Sequence, residues 1–167
     1  MTGVEPMTVG RRSRLPRTAW LVLAGVVASG ASSAPALSQV LVTADQQLDF
    51  GLLTPGVPMT VVPTDVARRA AYTVATRGRY AITFQLPSHL VEVHGAAVPV
   101  AFGDSDGRVE IRHRVTTFDP AAGVSIHINP ADSDARIYLG GTAQPAPGTP
   151  AGSYSATIIM MIVPTGT

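Results

Sequence analysis

The stretch Tyr80-Ala-Ile-Thr-Phe-Gln-Leu86 carries an apolar side chain at every second position. Strict alternation of this kind is typical of a β-strand that buries one face and exposes the other. The run 154–163 differs because it is mostly apolar at both parities, as in a strand that is buried on both faces or covered by a partner. Further alternating runs occur at Tyr72 and Val74, at Val109, Ile111 and His113, at 125–128 and at 136–139.

Turn-forming dipeptides separate these runs at intervals of about ten residues. Asp106-Gly107 predicts a hairpin turn, because both residue types tolerate positive φ. The nearest approach to helical periodicity, 66–75, is interrupted by Arg68-Arg69. Many short strands with regular turns predict an all-β fold, an antiparallel sandwich or barrel. The other turn signals are Thr54-Pro55-Gly56, Arg77-Gly78, Asp119-Pro120, Asn129-Pro130 and the proline-rich loop 144–152.

The composition excludes several classes of function. The 167 residues carry a net charge of +1, and only 14% are charged, against about 25% in a typical domain. Every basic residue other than His is Arg. A near-neutral chain without a basic block argues against nucleic-acid binding. The absence of Cys rules out disulfides, thiolate metal sites and cysteine nucleophiles.

Residues 1–38 have the pattern of a secretory signal peptide. Four Arg residues between 11 and 17 precede the apolar run Ala19–Ala28, and a stretch of small residues follows. Small residues at Ala34 and Ala36, or at Ala36 and Ser38, predict cleavage after Ala36 or after Ser38. The apolar run is shorter than the roughly 20 residues that span a membrane, which disfavours an uncleaved anchor. Translation starts at Met1 or Met7, and general secretion fits better than twin-arginine export.

We therefore expect residues 39–167 to form a single exported domain with no transmembrane anchor. Its location is the periplasm, the outer surface or the extracellular space. At its start, five apolar residues share one parity and predict an extended segment with one apolar face. They are Val40, Val42, Ala44, Leu48 and Phe50.

Two blocks of sequence resemble a known family. The first is Val40-Leu-Val-Thr-Ala-Asp-Gln-Gln-Leu-Asp-Phe-Gly-Leu-Leu-Thr-Pro-Gly56. The second runs from Ile137-Tyr-Leu-Gly-Gly-Thr142 to Pro150-Ala-Gly-Ser-Tyr-Ser-Ala-Thr157 and an apolar closing strand. Together they are similar to secreted bacterial pilin-like domains akin to spore coat protein U and to chaperone-usher fimbrial subunits. The resemblance covers most of residues 39–164.

The resemblance implies an immunoglobulin-like β-sandwich whose missing strand is supplied by the N-terminal strand of a neighbouring subunit. It implies self or related subunits as partners, with a periplasmic chaperone and an outer-membrane usher. The candidate assembly residues are Val40, Val42 and Ala44. The chain departs from the fimbrial pattern in its lack of a disulfide and of an aromatic residue near the C-terminus.

The recurrent residues of the two blocks have structural explanations. Gly51 follows Phe50 where a strand must bend away from its pair. Gly140 and Gly141 end a strand and permit positive φ or close backbone approach. Tyr154, two residues after Gly152, is expected to bond to the backbone through its hydroxyl, as in a tyrosine corner.

Residues suited to catalysis or metal binding are scattered. His89 and His94 lie five residues apart, on opposite faces of a strand. His113 and His127 could meet across a sheet, with Asp119 completing a weak metal site. The sequences Asp104-Ser-Asp106 and Asp132-Ser-Asp134 resemble only the start of a calcium loop. The chain has no nucleophile elbow, P-loop or dinucleotide fingerprint.

These observations predict a non-enzymatic protein without cofactor or metal. The favoured function is a secreted structural subunit that assembles into a pilus or cell-surface structure through β-strand exchange. The alternative is a periplasmic or surface module that binds a small ligand or ion. Polymerisation predicts a groove beside the closing strand, whereas a binding module predicts a closed sandwich with convergent polar loops.

Overall fold

The computed structural model describes residues 40–166, which form antiparallel β-strands and, within that range, no helix. The predicted all-β class is confirmed. The strands are β1 (Leu41–Gln46), β2 (Met59–Val61), β3 (Ala70–Ala75), β4 (Gly78–Gln85), β5 (His89–Val91), β6 (Ala97–Ala101), β7 (Gly107–Ile111), β8 (Arg114–Phe118), β9 (Val124–Ile128), β10 (Ala135–Leu139), β11 (Gly141–Ala143) and β12 (Ile159–Pro164).

The strands form three sheets. The largest has five strands in the order β1-β3-β10-β7-β8. A four-stranded sheet has the order β2-β11-β6-β5, and a three-stranded sheet has the order β12-β4-β9. Every pairing is antiparallel.

The main hydrophobic cluster contains side chains of both the five-stranded and the three-stranded sheet. Alternation explains the composition of this cluster, because every second residue of a strand points to the same face. On β4, Tyr80, Ile82 and Phe84 are buried while Arg79, Thr83 and Gln85 are exposed. The largest fully buried side chains of the cluster are Val74, Ile82, Ile128, Ile137 and Leu139.

A second cluster lies under the four-stranded sheet, with Phe50, Val61, Val98, Val100 and Ala143 at its centre. The chain passes from one sheet to the other at Gly140, where β10 ends and β11 begins. A Cβ at Gly140 would overlap the carbonyl oxygen of Val61. The close approach predicted for this glycine therefore lets one strand serve two sheets.

Several strand predictions are confirmed: β4, β9 and β10 coincide with the alternating runs. The prediction for His113 is wrong, because β7 ends at Ile111 and His113 lies in the turn before β8. Arg112, the first residue of that turn, has a φ of 53°. The hairpin predicted at Asp106-Gly107 is also wrong. Gly107 opens β7, and the preceding strand, β6, belongs to a different sheet.

The predicted apolar face from Val40 to Phe50, broken in the sequence only at Gln46, is interrupted in the structure as well. The pairing of β1 with β3 shifts register between Ala44 and Gln46, so a bulge lies at Asp45. Thr73 donates its hydroxyl proton to the Asp45 carboxylate at 2.6 Å. After the bulge the chain leaves the sheet, and Phe50 becomes buried in the second cluster, while Val40 and Val42 stay exposed.

Candidate functional site

Strand β1 exposes an apolar face that points to the same side as the core. Val42 is paired with Val74, and Ala44 with Tyr72. Directly opposite residues of an antiparallel pair share one face of the sheet. Val74 is fully buried in the main cluster and Tyr72 packs against it, yet Val42 is 42% exposed and Ala44 is also exposed. The core-facing side of β1 is therefore left uncovered.

Strand β12 has an unpaired edge. It pairs with β4 on one side, and no strand of residues 40–166 pairs with its other side. Met160 and Ile162 are half-buried against the main cluster. On the outer face, Ile159, Met161 and Val163 are 48%, 43% and 55% exposed. The prediction that the closing run is buried on both faces is thus wrong for a single chain, and the alternative, cover by a partner, remains a prediction.

Strands β1 and β12 are each the outermost strand of a sheet, and the two sheets differ in their number of strands. The layer that contains β1 has five strands, and the layer that contains β12 has three. Both layers contribute to one cluster, and β12 is the last strand of the narrower one. A strand added to the free edge of β12 would widen that layer and could extend the main cluster.

A large open groove, with a volume of about 1350 Å³, lies beyond the end of β1 and before the start of β12, and residues of β12 itself do not line it. Ala44 of β1, Tyr72 of β3 and Ile158, just before β12, lie along it. Its two walls are the irregular segments that follow β1 and precede β12, residues 46–55 and 149–158. Leu90, Val100 and Phe102 of the second cluster also line the groove.

The wall before β12 is held by the residues of the closing block. Val91 and Ser155 exchange two backbone hydrogen bonds, of 2.9 and 3.1 Å. The Tyr154 hydroxyl donates to the carbonyl oxygen of Pro150 at 2.7 Å, and the Tyr154 ring packs on the second cluster. This is the backbone bond expected of Tyr154. At Gly152 a Cβ would press on the side chain of Glu92.

The opposite wall turns at Gly51, whose φ of 65° lies in the left-handed region that favours glycine. The Gly51 N–H donates to the Asp49 carboxylate at 2.7 Å. Phe50 is buried beside this turn and anchors the wall in the second cluster. Gly141, the other glycine of the closing block, is packed against the ring of Phe102.

Tyr72 lines the groove and is half-buried. Desolvation by burial raises the pKa of Tyr72 above its ordinary value of 10.0. The hydroxyl is therefore neutral at physiological pH. Tyr72 thus contributes an uncharged aromatic surface to the groove.

The structure does not bring the candidate metal ligands together. Within residues 40–166, no group of three or more His, Cys, Asp or Glu side chains is placed to hold a metal ion. The His94 ring contacts the Glu92 carboxylate at 2.8 Å. The Asp132 carboxylate is engaged by Arg112 at 3.1 Å. Asp106 accepts a hydrogen bond from the Gly103 N–H at 2.7 Å and so serves a turn.

Sequence reasoning predicted an extended segment for the assembly residues: Val42 and Ala44 lie on β1, and Val40 immediately precedes it. It also predicted a groove beside the closing strand, from the run Ile158–Val163, which has no charged residue and no alternation, but it did not single out Tyr72, Met160 or Ile162. A strand with apolar residues on both faces but cover on only one face leaves the other face available for a partner.

Comparison with known proteins gives no relative: no protein-family model, no curated protein and no solved structure matches the chain. In the part of the chain that the structure describes, no helix is long and apolar enough to cross a membrane. The predicted signal peptide, residues 1–38, lies outside the described residues.

Proposed function

We propose that this protein is a secreted, non-enzymatic structural subunit that assembles with copies of itself or related subunits through β-strand exchange. In this proposal the five-stranded and three-stranded layers are the two halves of an immunoglobulin-like, pilin-like sandwich. The observation that supports it is the uncovered apolar face of β1 beside the unpaired edge of β12.

The edge of β12 is suited to accept a strand. A free edge presents unpaired N–H and C=O groups, and proteins usually protect such edges with charged residues, bulges or proline. Residues Ile159–Pro164 contain no charged side chain, and their single proline comes last. An added strand would satisfy these backbone groups and bury apolar side chains that a single chain leaves in water.

The donor in this proposal is β1 of another copy. Val42 and Ala44 are exposed, so β1 is held to its own sheet mainly by backbone pairing with β3. Pairing with the β12 edge of a neighbour would replace those backbone bonds and would bury Val40, Val42 and Ala44 in addition. Exchange is therefore favoured by the extra apolar burial.

The groove favours an extended segment over the alternative, a small ligand or ion. Small-molecule sites are typically concave, about 300–1,000 Å³ in volume, and enclose most of the ligand. The groove here is larger, at about 1350 Å³, and partly open to solvent. Its size favours a polypeptide segment, supplied by another subunit or, during export, by a periplasmic chaperone that delivers the subunit to an outer-membrane usher.

The test is the double variant Val40→Asp/Val42→Asp, compared with wild type by size-exclusion chromatography and analytical ultracentrifugation. We expect assembly to be abolished, because charges cannot be buried between the layers. The free energy of unfolding of the monomer should change by less than about 1 kcal/mol, since both positions are exposed in the single chain. The control Thr43→Asp, on the opposite face of β1, should assemble normally.

Unfolding of the isolated domain by Val40→Asp/Val42→Asp would show that β1 belongs permanently to its own sandwich and would overturn the proposal. Because the chain has no Cys, single cysteines give a second test. A Val42→Cys copy mixed with an Ile162→Cys copy should form a disulfide between the two, and Thr43→Cys should not. Absence of the Val42–Ile162 cross-link in assembled material would contradict exchange of β1 onto β12.

A further inference from the structure

The charged residues of the domain are segregated along the strands. At one end, β3 stops at Ala75, β4 starts at Gly78, and the turn between β7 and β8 projects. The pairing registers place these points together: Ala135 lies opposite Val74, Arg136 opposite Glu110, and Gly78 opposite Ile128. We call this the arginine end. It carries five exposed Arg side chains: Arg77, Arg79, Arg112, Arg114 and Arg136.

Two acidic residues at the arginine end neutralise only part of its charge. Asp132 pairs with Arg112, and Asp134 pairs with Arg136 at 3.4 Å. The hydrogen bond that Arg136 donates to Asp134, chiefly, raises the pKa of Arg136, which stays charged at every physiological pH. Among the described residues, Arg77 and Arg79 contact no carboxylate within salt-bridge distance. The arginine end therefore keeps a positive excess.

The opposite ends of the same strands, with the loops beyond them, carry the reverse charge. β7 begins and β8 ends there, since Gly107 lies opposite Phe118. We call this the acidic end. Arg68 and Arg69 offset part of its negative charge. The acidic residues are Asp49, Asp65, Asp104, Asp106 and Asp119.

We propose that successive copies in the assembly contact one another head to tail, with the arginine end of one copy against the acidic end of the next. This inference rests on the proposed function and adds a direction to it. β1 runs from the arginine end to the acidic end, because Leu41 lies opposite Ala75 and Gln46 opposite Ala71. The strand offered for exchange is therefore joined to its own domain at the acidic end, which in this proposal meets the arginine end of the copy that accepts the strand.

Complementary ends act mainly on the rate of association. Charge complementarity speeds diffusional encounter by about 10- to 1,000-fold at low salt and disfavours wrongly oriented contacts. The effect falls steeply with ionic strength, because the Debye length shrinks from about 30 Å at 0.01 M to about 3 Å at 1 M. We expect the initial rate of assembly, followed by light scattering, to fall at least about fivefold between 20 mM and 500 mM NaCl.

Two charge-reversal variants test the orientation. Arg77→Glu/Arg79→Glu makes the arginine end negative, and Asp104→Arg/Ser105→Arg makes the loop 102–106 at the acidic end positive. All four positions are exposed, so folding should be unaffected. Each variant alone should assemble at least about fivefold more slowly than wild type at low salt. An equimolar mixture should recover most of the wild-type rate, because the two variants can alternate.

The control Thr116→Glu/Thr117→Glu adds negative charge to exposed positions along β8 and should assemble like wild type. Circular dichroism establishes that each variant is folded. Wild-type assembly that is insensitive to salt, or a mixture no faster than its components, would overturn the head-to-tail inference and leave strand exchange standing. Failure of the wild type to assemble at any salt concentration would overturn both.

Discussion

Gly140 shows how one atom constrains the fold. The chain crosses there from the five-stranded to the four-stranded sheet, and the Val61 carbonyl oxygen occupies the space that a Cβ would need. We expect Gly140→Ala to lower the free energy of unfolding by about 2 kcal/mol or more, because backbone atoms must shift to admit the methyl group.

Chemical denaturation of both Gly140→Ala and Gly148→Ala measures this effect. Gly148 lies in an exposed loop where an added methyl group would meet no atom within 4 Å, and its substitution should change stability by less than about 0.5 kcal/mol. Equal stabilities for the two variants would contradict the close-approach explanation. The sequence predicted that Gly140 was needed, but the identity of the opposing atom depends on β2, which lies 79 residues earlier in the chain.

At the level of the strand, the backbone of β12 explains how an incoming strand would bind. The Thr165 N–H donates to the Arg79 carbonyl oxygen, on the β4 side. Because backbone groups alternate in direction along an antiparallel strand, the N–H groups of Met160 and Ile162 point to the free edge. Pro164 has the same parity, at a position where no hydrogen bond to β4 is lost.

This geometry predicts different outcomes for two substitutions at Ile162. Ile162→Ala and Ile162→Pro both remove core packing, so each should lower stability by roughly 2–4 kcal/mol. Only Ile162→Pro also removes a donor from the free edge and places a ring there. We therefore expect Ile162→Ala to assemble and Ile162→Pro to stay monomeric, as measured by ultracentrifugation at a concentration where both are folded. Equal assembly of the two variants would show that the β12 edge is not the acceptor.

Strand positions were more predictable from the sequence than strand partners. The alternation at Tyr80–Leu86 located β4 because one face of that strand packs on the core and the other meets water. The alternating pattern gave wrong predictions at two places. At Asp45 a bulge interrupts the strand, and Phe50 is buried in the second cluster instead of the main one. At His113 the sequence pattern continues, but the chain forms a two-residue turn between β7 and β8. Bulges and turns depend on the neighbouring strand, which a local pattern does not contain.

For the whole molecule, the position of β1 connects the proposed assembly to export. Cleavage after Ser38 would leave only Gln39 and Val40 ahead of β1, so the strand to be exchanged would be the N-terminus of the mature chain. A terminal strand can leave its own sheet and join a neighbour without passing a loop through the fold. An uncleaved N-terminus would instead keep the start of β1 tethered.

We expect mass spectrometry of the exported protein to find Gln39, or else Leu37, at its N-terminus. Ala36 is the small residue that both cleavage motifs share, so Ala36→Phe should block processing and leave the precursor in the inner membrane. Leu37→Phe keeps both small-residue motifs and should be processed normally. An intact Met1 or Met7 form of the wild type in the inner membrane would contradict the signal peptide. It would also deprive β1 of the free terminus that exchange requires.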